Sequence, residues 1–187
     1  MNKYEKSLIM VRNKIMADKK IVCTGNPENP NCIAYGVAEV FPNTIFLHKS
    51  MGVDLTKDFN KIKNILSNNN IFINASYIGP FIQTKLLKLA HEQFKMGHIF
   101  NIGSTNEYDK LGEKTYCESK LNLRETSLEL NNFRIQTTHI LLGGIDLGES
   151  KTNNWIKPLD IAQLILWITK QYHTIPLIAL DQNKKPW

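Results

Sequence analysis

Short β-rich runs alternate with helical patterns from Lys20 onward. Apolar and β-branched residues cluster over Lys20–Thr24, Thr44–Leu47, Ile71–Asn74, His98–Ile102, Arg134–Leu141 and Ile175–Leu180. Each run has the length of a strand buried in a sheet. Between them, apolar positions recur at helical spacing over Cys32–Phe41, Lys57–Leu66, Pro80–Phe94, Lys114–Leu130 and Lys157–Thr169. Strict alternation of this kind predicts an α/β fold: one doubly wound parallel sheet of about six strands with helices on both faces. The second strand is the exception. His48–Gly52 leads directly into Val53-Asp54-Leu55, too short a link for a parallel crossover of a dozen or more residues, so 53–55 is at most an extended stub. Ahead of this domain (20–187), Tyr4, Leu8, Val11 and Ile15 form the stripe of an amphipathic helix over residues 1–19.

Composition narrows the classes. The 187-residue chain is 42% hydrophobic and 21% charged, ordinary for one globular domain and too apolar for disorder. The net charge of +6 raises a nucleic-acid role, but the lysines are scattered among acids and form no basic run, so no nucleic-acid partner is expected. Cys23, Cys32 and Cys117 form no CxxC pair, and the five histidines show no ligand spacing. Free thiols in a reducing compartment and no metal site are the expectation. No apolar run approaches the ~20 residues of a membrane span, and the N-terminal apolar stretch is flanked by charge on both sides without a cleavage site. A cytoplasmic protein without a membrane partner is expected.

Two features carry chemistry. Val22-Cys23-Thr24-Gly25 leaves the first strand and a helix begins near Cys32, so a strand–turn–helix with glycine at the turn can present free backbone N–H groups to a phosphate. Cys32 and Ala34 stand where further glycines would serve that purpose, and a plain βα turn reads the same way. The second feature is Tyr116-Cys117-Glu118-Ser119-Lys120 at a helix start, where a four-residue spacing puts Tyr116 and Lys120 on one face. Upstream, Ile102-Gly103-Ser104 ends a strand at the edge of the sheet where such folds bind ligands. A converging hydroxyl, phenol and ammonium suit carbonyl chemistry. Ser104 would hold the substrate oxygen, Tyr116 would give or take its proton, and Lys120 would pull the phenol pKa down from about 10. A cap serine, a half-buried tyrosine and a surface lysine are the plain alternative.

Taken in order, Thr24-Gly25, Asp54-Leu55-Thr56, Asn74-Ala75-Ser76, Gly103-Ser104, Tyr116…Lys120 and Gly143-Gly144-Ile145-Asp146 resemble the short-chain dehydrogenase/reductase family over nearly the whole chain. The resemblance implies a Rossmann-like domain that binds a nicotinamide dinucleotide. Gly25, Asn26 and Ile33 would border the pyrophosphate turn, and Asp54 with Leu55 the adenine. Asn74, Ala75 and Ser76 would lie by the cofactor ribose, Gly143 and Ile145 near the nicotinamide amide, and Tyr116 and Lys120 would touch cofactor as well as substrate. The chain is a shortened version: the helix between the family's second and third strands is missing, and the Asn74–Ser104 stretch is about one helical segment short. The family's catalytic asparagine has no clear counterpart, with Ser76 nearest. Leu142 replaces a usual proline, and Leu147–Asn154 abbreviates the substrate loop.

NAD-preferring members carry an acid just after the second strand, where this chain reads His48-Lys49-Ser50. A cation and hydroxyls suit a 2′-phosphate. NADP(H) is therefore the preferred cofactor, with NAD(H) possible. The expected function is hydride transfer between nicotinamide and a small carbonyl or alcohol substrate. The alternative is a catalytically weak or inactive dinucleotide-binding regulatory protein. A homodimer or homotetramer is implied, through the helices Pro80–Phe94 and Lys114–Leu130, which carry many apolar residues, Phe81, Leu86, Leu87, Leu89 and Phe94 on the first and Leu121, Leu123, Leu128 and Leu130 on the second.

Overall fold

A computed structural model describes residues 20–110, 112–143, 156–171 and 173–180. The expected helix over 1–19, Ile145 and the whole of the abbreviated loop lie outside these residues. Six strands, β1 (Ile21–Thr24), β2 (Ile45–Leu47), β3 (Ile71–Asn74), β4 (Gly97–Ile102), β5 (Ile135–Leu142) and β6 (Leu177–Leu180), form one sheet in the order β2-β1-β3-β4-β5-β6. Every neighbouring pair is parallel. The helices are α1 (Ile33–Val40), α2 (Phe59–Leu66), α3 (Ile82–Gln93), α4 (Asn106–Asp109), α5 (Lys114–Leu130) and α6 (Pro158–Thr169). The fold is the predicted α/β sheet, and each strand and long helix falls within three residues of its predicted bounds. Two short elements carry too little periodicity to predict: α4, and a 3₁₀ turn at Lys49–Met51.

Two apolar layers cover the sheet. One packs Cys23, Ile73, Phe100 and Ile140 against α1 and α6. The other packs Val22, Phe72 and Ile99 against α2, α3 and α5. The central strands β1, β3, β4 and β5 are buried along their whole length, as a sheet covered on both faces requires. Val53 and Leu55 form no strand. They are 3% and 4% exposed and fill the second layer beneath the link from β2 to α2.

The chain winds outward from β1 to β2, then returns to β3 and continues the other way. The crevice at the carboxyl ends of β1 and β3 is therefore the switch point where such sheets bind ligands. The helix that starts at this crevice, α1, meets α6 at one close approach. A Cβ on Gly36 of α1 would lie 2.3 Å from the Pro158 carbonyl oxygen at the start of α6. Gly36→Ala should therefore push the two helices apart and cost about 1–3 kcal/mol of stability, as overpacking does. Urea unfolding of the two proteins measures the difference.

Candidate active site

Thr24 closes the switch point from below: its hydroxyl accepts the Ala75 and Ser76 N–H groups at 2.8 and 2.9 Å, tying the end of β1 to the end of β3. Gly25 follows with φ 128°, and a Cβ there would lie 2.9 Å from Ala34 Cβ and 3.0 Å from Ser76 Oγ. Only glycine keeps this cradle open. In place of further glycines, the turn to α1 is built from two Asx turns, Asn26 Oδ1 accepting the Glu28 N–H and Asn29 Oδ1 the Asn31 N–H. Gly25, Asn26, Ile33, His48, Ala75 and Ser76 all line one cavity of about 340 Å³, with the N-terminus of α1 opening onto it. The predicted cofactor residues on both sides of the crevice thus share one space. An open glycine cradle facing a helix start fits the pyrophosphate part of a dinucleotide.

The other predicted cofactor residues are placed differently. Ser50 donates its N–H to His48 Nδ1 at 3.2 Å, and Lys49 Nζ lies 3.5 Å from Asp54 Oδ2. Asp54 also accepts the Thr56 hydroxyl and N–H, and these hydrogen bonds hold its carboxyl below the usual carboxylate range. Leu55 belongs to the core, and neither Asp54 nor Leu55 lines the cavity. Asn74 is fully buried, its amide donating to Gln83 O at 2.8 Å and Asn101 Oδ1 at 3.0 Å. Gly143 donates its N–H to Leu180 O of β6.

Ser104, Tyr116 and Lys120 do converge at the carboxyl end of β4. The Ser104 hydroxyl accepts the Asn106 N–H at 3.3 Å and stands near enough to the Tyr116 phenol to lower its pKa, and the Tyr77 ring meets the Tyr116 ring edge-on at 4.8 Å between centroids. The Lys120 ammonium is 5.6 Å from both ring centroids. It donates instead to Gln83 Oε1 at 2.7 Å and to Ile102 O at 2.8 Å. Burial lowers the Lys120 pKa from 10.5 to about 8, against the opposing pull of the Glu107 carboxylate. Tyr116 departs from expectation: burial raises its phenol pKa, and the nearby Ser104 hydroxyl only partly offsets this. The expected depression by Lys120 fails because the ammonium is turned toward Gln83 and the sheet. A phenol of this kind stays protonated and is suited to donate.

Sequence reasoning missed a buried carboxylate beneath Ser104. Glu107 Oε1 accepts the Ser104 N–H at 3.1 Å and lies 2.8 Å from His139 Nε2, and Arg124 Nε stands 3.7 Å from Oε2. A Cβ on Gly103 would come within 2.2 Å of His139 Nε2 and 2.4 Å of Glu107 Oε1, so glycine before the serine admits the pair. The signal was present: Ser104-Thr105-Asn106-Glu107 is an S-x-x-E capping box, and Glu107 makes its reciprocal half. Gln83 and Tyr77 carried no such signal. Among the described residues, no group of three or more His, Cys, Asp or Glu could hold a metal, and no helix is long and apolar enough to cross a membrane.

No protein-family model and no curated protein matches the chain. Solved structures do. An oxidoreductase (short chain dehydrogenase/reductase) from Brucella ovis superposes with a TM-score of 0.66 at 16% identity, over 87% of this chain and 100% of that one. BdcA in complex with NADPH gives 0.66 at 15%, over 88% and 93%. A short chain dehydrogenase from Burkholderia cenocepacia J2315 in complex with NADP gives 0.60 at 12%, over 87% and 88%. The chain is short-chain dehydrogenase/reductase-like in fold across most of its length.

The Lys120 shift makes stability depend on pH. Between about pH 8 and 10.5 the unfolded lysine is protonated and the folded one is not, so stability rises with pH across that window. The wild type should gain roughly 3 kcal/mol there relative to Lys120→Met, which lacks the group. Urea unfolding of both proteins over the same pH series reads the difference, and parallel curves would refute it.

Proposed function

We propose that the chain is an NAD(P)-dependent oxidoreductase that interconverts a carbonyl and an alcohol, with Tyr116 as the acid. The observation that carries this reading is the convergence of Ser104, Tyr116 and Lys120 at the end of β4, beside the switch-point crevice, whose lining residue Tyr77 packs on the Tyr116 ring. The chemistry a bound nicotinamide dinucleotide would supply is hydride transfer to or from the substrate carbon. Gly25, Asn26 and Ile33 on one wall and Ala75 and Ser76 on the other would hold it. Ser104 orients the substrate oxygen by donating its hydroxyl proton. Tyr116, kept protonated by burial, delivers its proton to that oxygen in the reductive direction. Lys120 stands behind the phenol, its ammonium held by Gln83 and the Ile102 carbonyl 5.6 Å from the ring centroid.

NADP(H) is favoured over NAD(H). His48 lines the cavity, and Lys49 and Ser50 stand next to it. The Lys49–Asp54 pair is exposed on the lysine side, and a pair of that kind is worth at most ~1 kcal/mol. A doubly charged 2′-phosphate can therefore draw Lys49 away. NADPH should raise the melting temperature more than NADH at equal concentration. A carbonyl panel followed at the reduced-nicotinamide absorbance then tests turnover. On any substrate found, Tyr116→Phe should lose ~10²–10⁴-fold in kcat while dinucleotide affinity stays nearly unchanged. Near wild-type turnover in that variant would refute the assignment.

A non-catalytic dinucleotide-binding protein is the second reading, favoured by the turning of the Lys120 ammonium away from Tyr116. Dinucleotide binding without turnover of any carbonyl would select it.

Self-association rests on less apolar surface than the helix patterns suggested. Leu86, Leu87, Phe94 and Leu123 are core, which leaves Phe81, Leu89, Leu121, Leu128 and Leu130 partly or fully exposed. A groove of about 550 Å³ bordered by Phe59, Phe81, Leu89 and Asn122 runs between α3 and α5, and a second copy of the chain is the proposed occupant. Light scattering at micromolar concentration should give a dimer or tetramer, and Phe81→Asp should give a monomer.

A further inference from the structure

Lys120 is 3% exposed, yet no ion pair among the described residues includes it. Its direct acceptors are two neutral oxygens, Gln83 Oε1 and Ile102 O. Gln83 is itself 3% exposed and cannot turn its amide around. Its Nε2 donates to Asn74 O at 2.9 Å and to Ile102 O at 3.3 Å. A flipped amide would aim donor at ammonium and oxygen at carbonyl. Its backbone carbonyl is also engaged, accepting the Asn74 side-chain amide at 2.8 Å.

The backbone before Gln83 supports the same point. Phe81 takes φ 59°, the left-handed region that bulky side chains rarely occupy, and its N–H reaches Ser119 Oγ at 3.4 Å. Ser119 directly precedes Lys120 on α5. The strained turn therefore docks the first residues of α3 on α5 where Gln83 and Lys120 meet.

We propose that Gln83 is the positioning residue of Lys120: its carboxamide oxygen fixes the ammonium beside the Ser104–Tyr116 pair and sets the pH at which the proton leaves. This rests on the oxidoreductase reading for its consequence in catalysis, but not for its geometry. The other groups facing the ammonium are few. Glu107 of α4 acts on it through its charge, and that charge is shared with Arg124 of α5 and His139 of β5. Tyr116 and Tyr77 present their rings at 5.6 Å, and Asn74 and Asn101, from β3 and β4, are neutral. Changing Gln83 thus changes the one adjustable group in direct contact. A carboxylate there holds the proton more tightly, whereas a thioether of the same length removes the acceptor.

The test uses the full chain without ligand, ¹⁵N-labelled at lysine, with the Lys120 side-chain signal assigned by its loss in Lys120→Met. The wild-type midpoint is expected at about 8. Gln83→Glu should raise it by ~1–3 units and Gln83→Met should lower it. Coincident midpoints in the folded variants would overturn the proposal. Should neither variant fold by circular dichroism, the wild type decides. Slowly exchanging Nζ protons at neutral pH support a held ammonium, and exchange as fast as that of surface lysines refutes it. In an active enzyme, Gln83→Glu should move the pH profile of kcat and leave the carbonyl KM unchanged. Midpoints that shift in a protein without turnover would remove the oxidoreductase reading and leave the role of Gln83 standing.

Discussion

The interior is organised around one buried ammonium. An isolated charge inside a protein is costly by several kcal/mol unless its donors are met. Here Lys120 is met by Gln83 and the Ile102 carbonyl. That choice propagates. Gln83 needs acceptors for its own amide and finds them on β3 and β4, at Asn74 O and Ile102 O. The Asn74 side chain then bonds Asn101, and Asn101 bonds Ser127 of α5 at 3.1 Å. Thr137 of β5 completes the line by donating to the Ser127 carbonyl. A polar seam therefore runs between the sheet and the α3–α5 pair, in a layer otherwise made of Val, Ile, Leu and Phe.

A second charge shapes the same region. Glu107 is buried with His139 and lies beneath Ser104, where Gly103 leaves room for it. Lys120 and Arg124 bring two positive charges to one carboxylate. The carboxylate fixes the Ser104 backbone, and the Asn106 N–H, donating to its hydroxyl at 3.3 Å, fixes its side chain.

The fold was legible because its signals are local. Strand runs such as Ile71–Asn74 and helical stripes such as Lys114–Leu130 survive almost unchanged from pattern to structure. The convergence of Ser104, Tyr116 and Lys120 was legible too, since strand end and helix start both project to one edge of the sheet. The partners were not. Gln83 reads as a surface position of an amphipathic helix, and only the crossing of α3 over the sheet turns it inward. His139 and Thr137 read as interruptions of an apolar strand, yet both are fully buried because polar groups on α4 and α5 answer them. Hydrophobic periodicity marks which face is inside, and it is silent about a polar inside. The sign of the Tyr116 shift was missed for a related reason: a four-residue spacing puts phenol and ammonium on one face but leaves open where the flexible lysine head points.

The two halves of the site are built to different tolerances. The Ser104–Lys120 half is locked by hydrogen bonds from buried groups on α3, β4, α4 and α5. The crevice half is looser. Its turn is long, carries the exposed acid Glu28, and is shaped by Asx turns where glycines would let a phosphate approach the backbone. Asp54, expected at the adenine, is occupied with Thr56 and Lys49. Among the described residues β2 is the edge strand, so the Asp54 segment pairs with no further strand: Val53 and Leu55 pack into the second layer and the Asp54 side chain caps its own turn. The Asp54 turn and the seam that holds Lys120 share no hydrogen bond among the described residues. The polar seam and the crevice turn thus stand on separate elements of this chain.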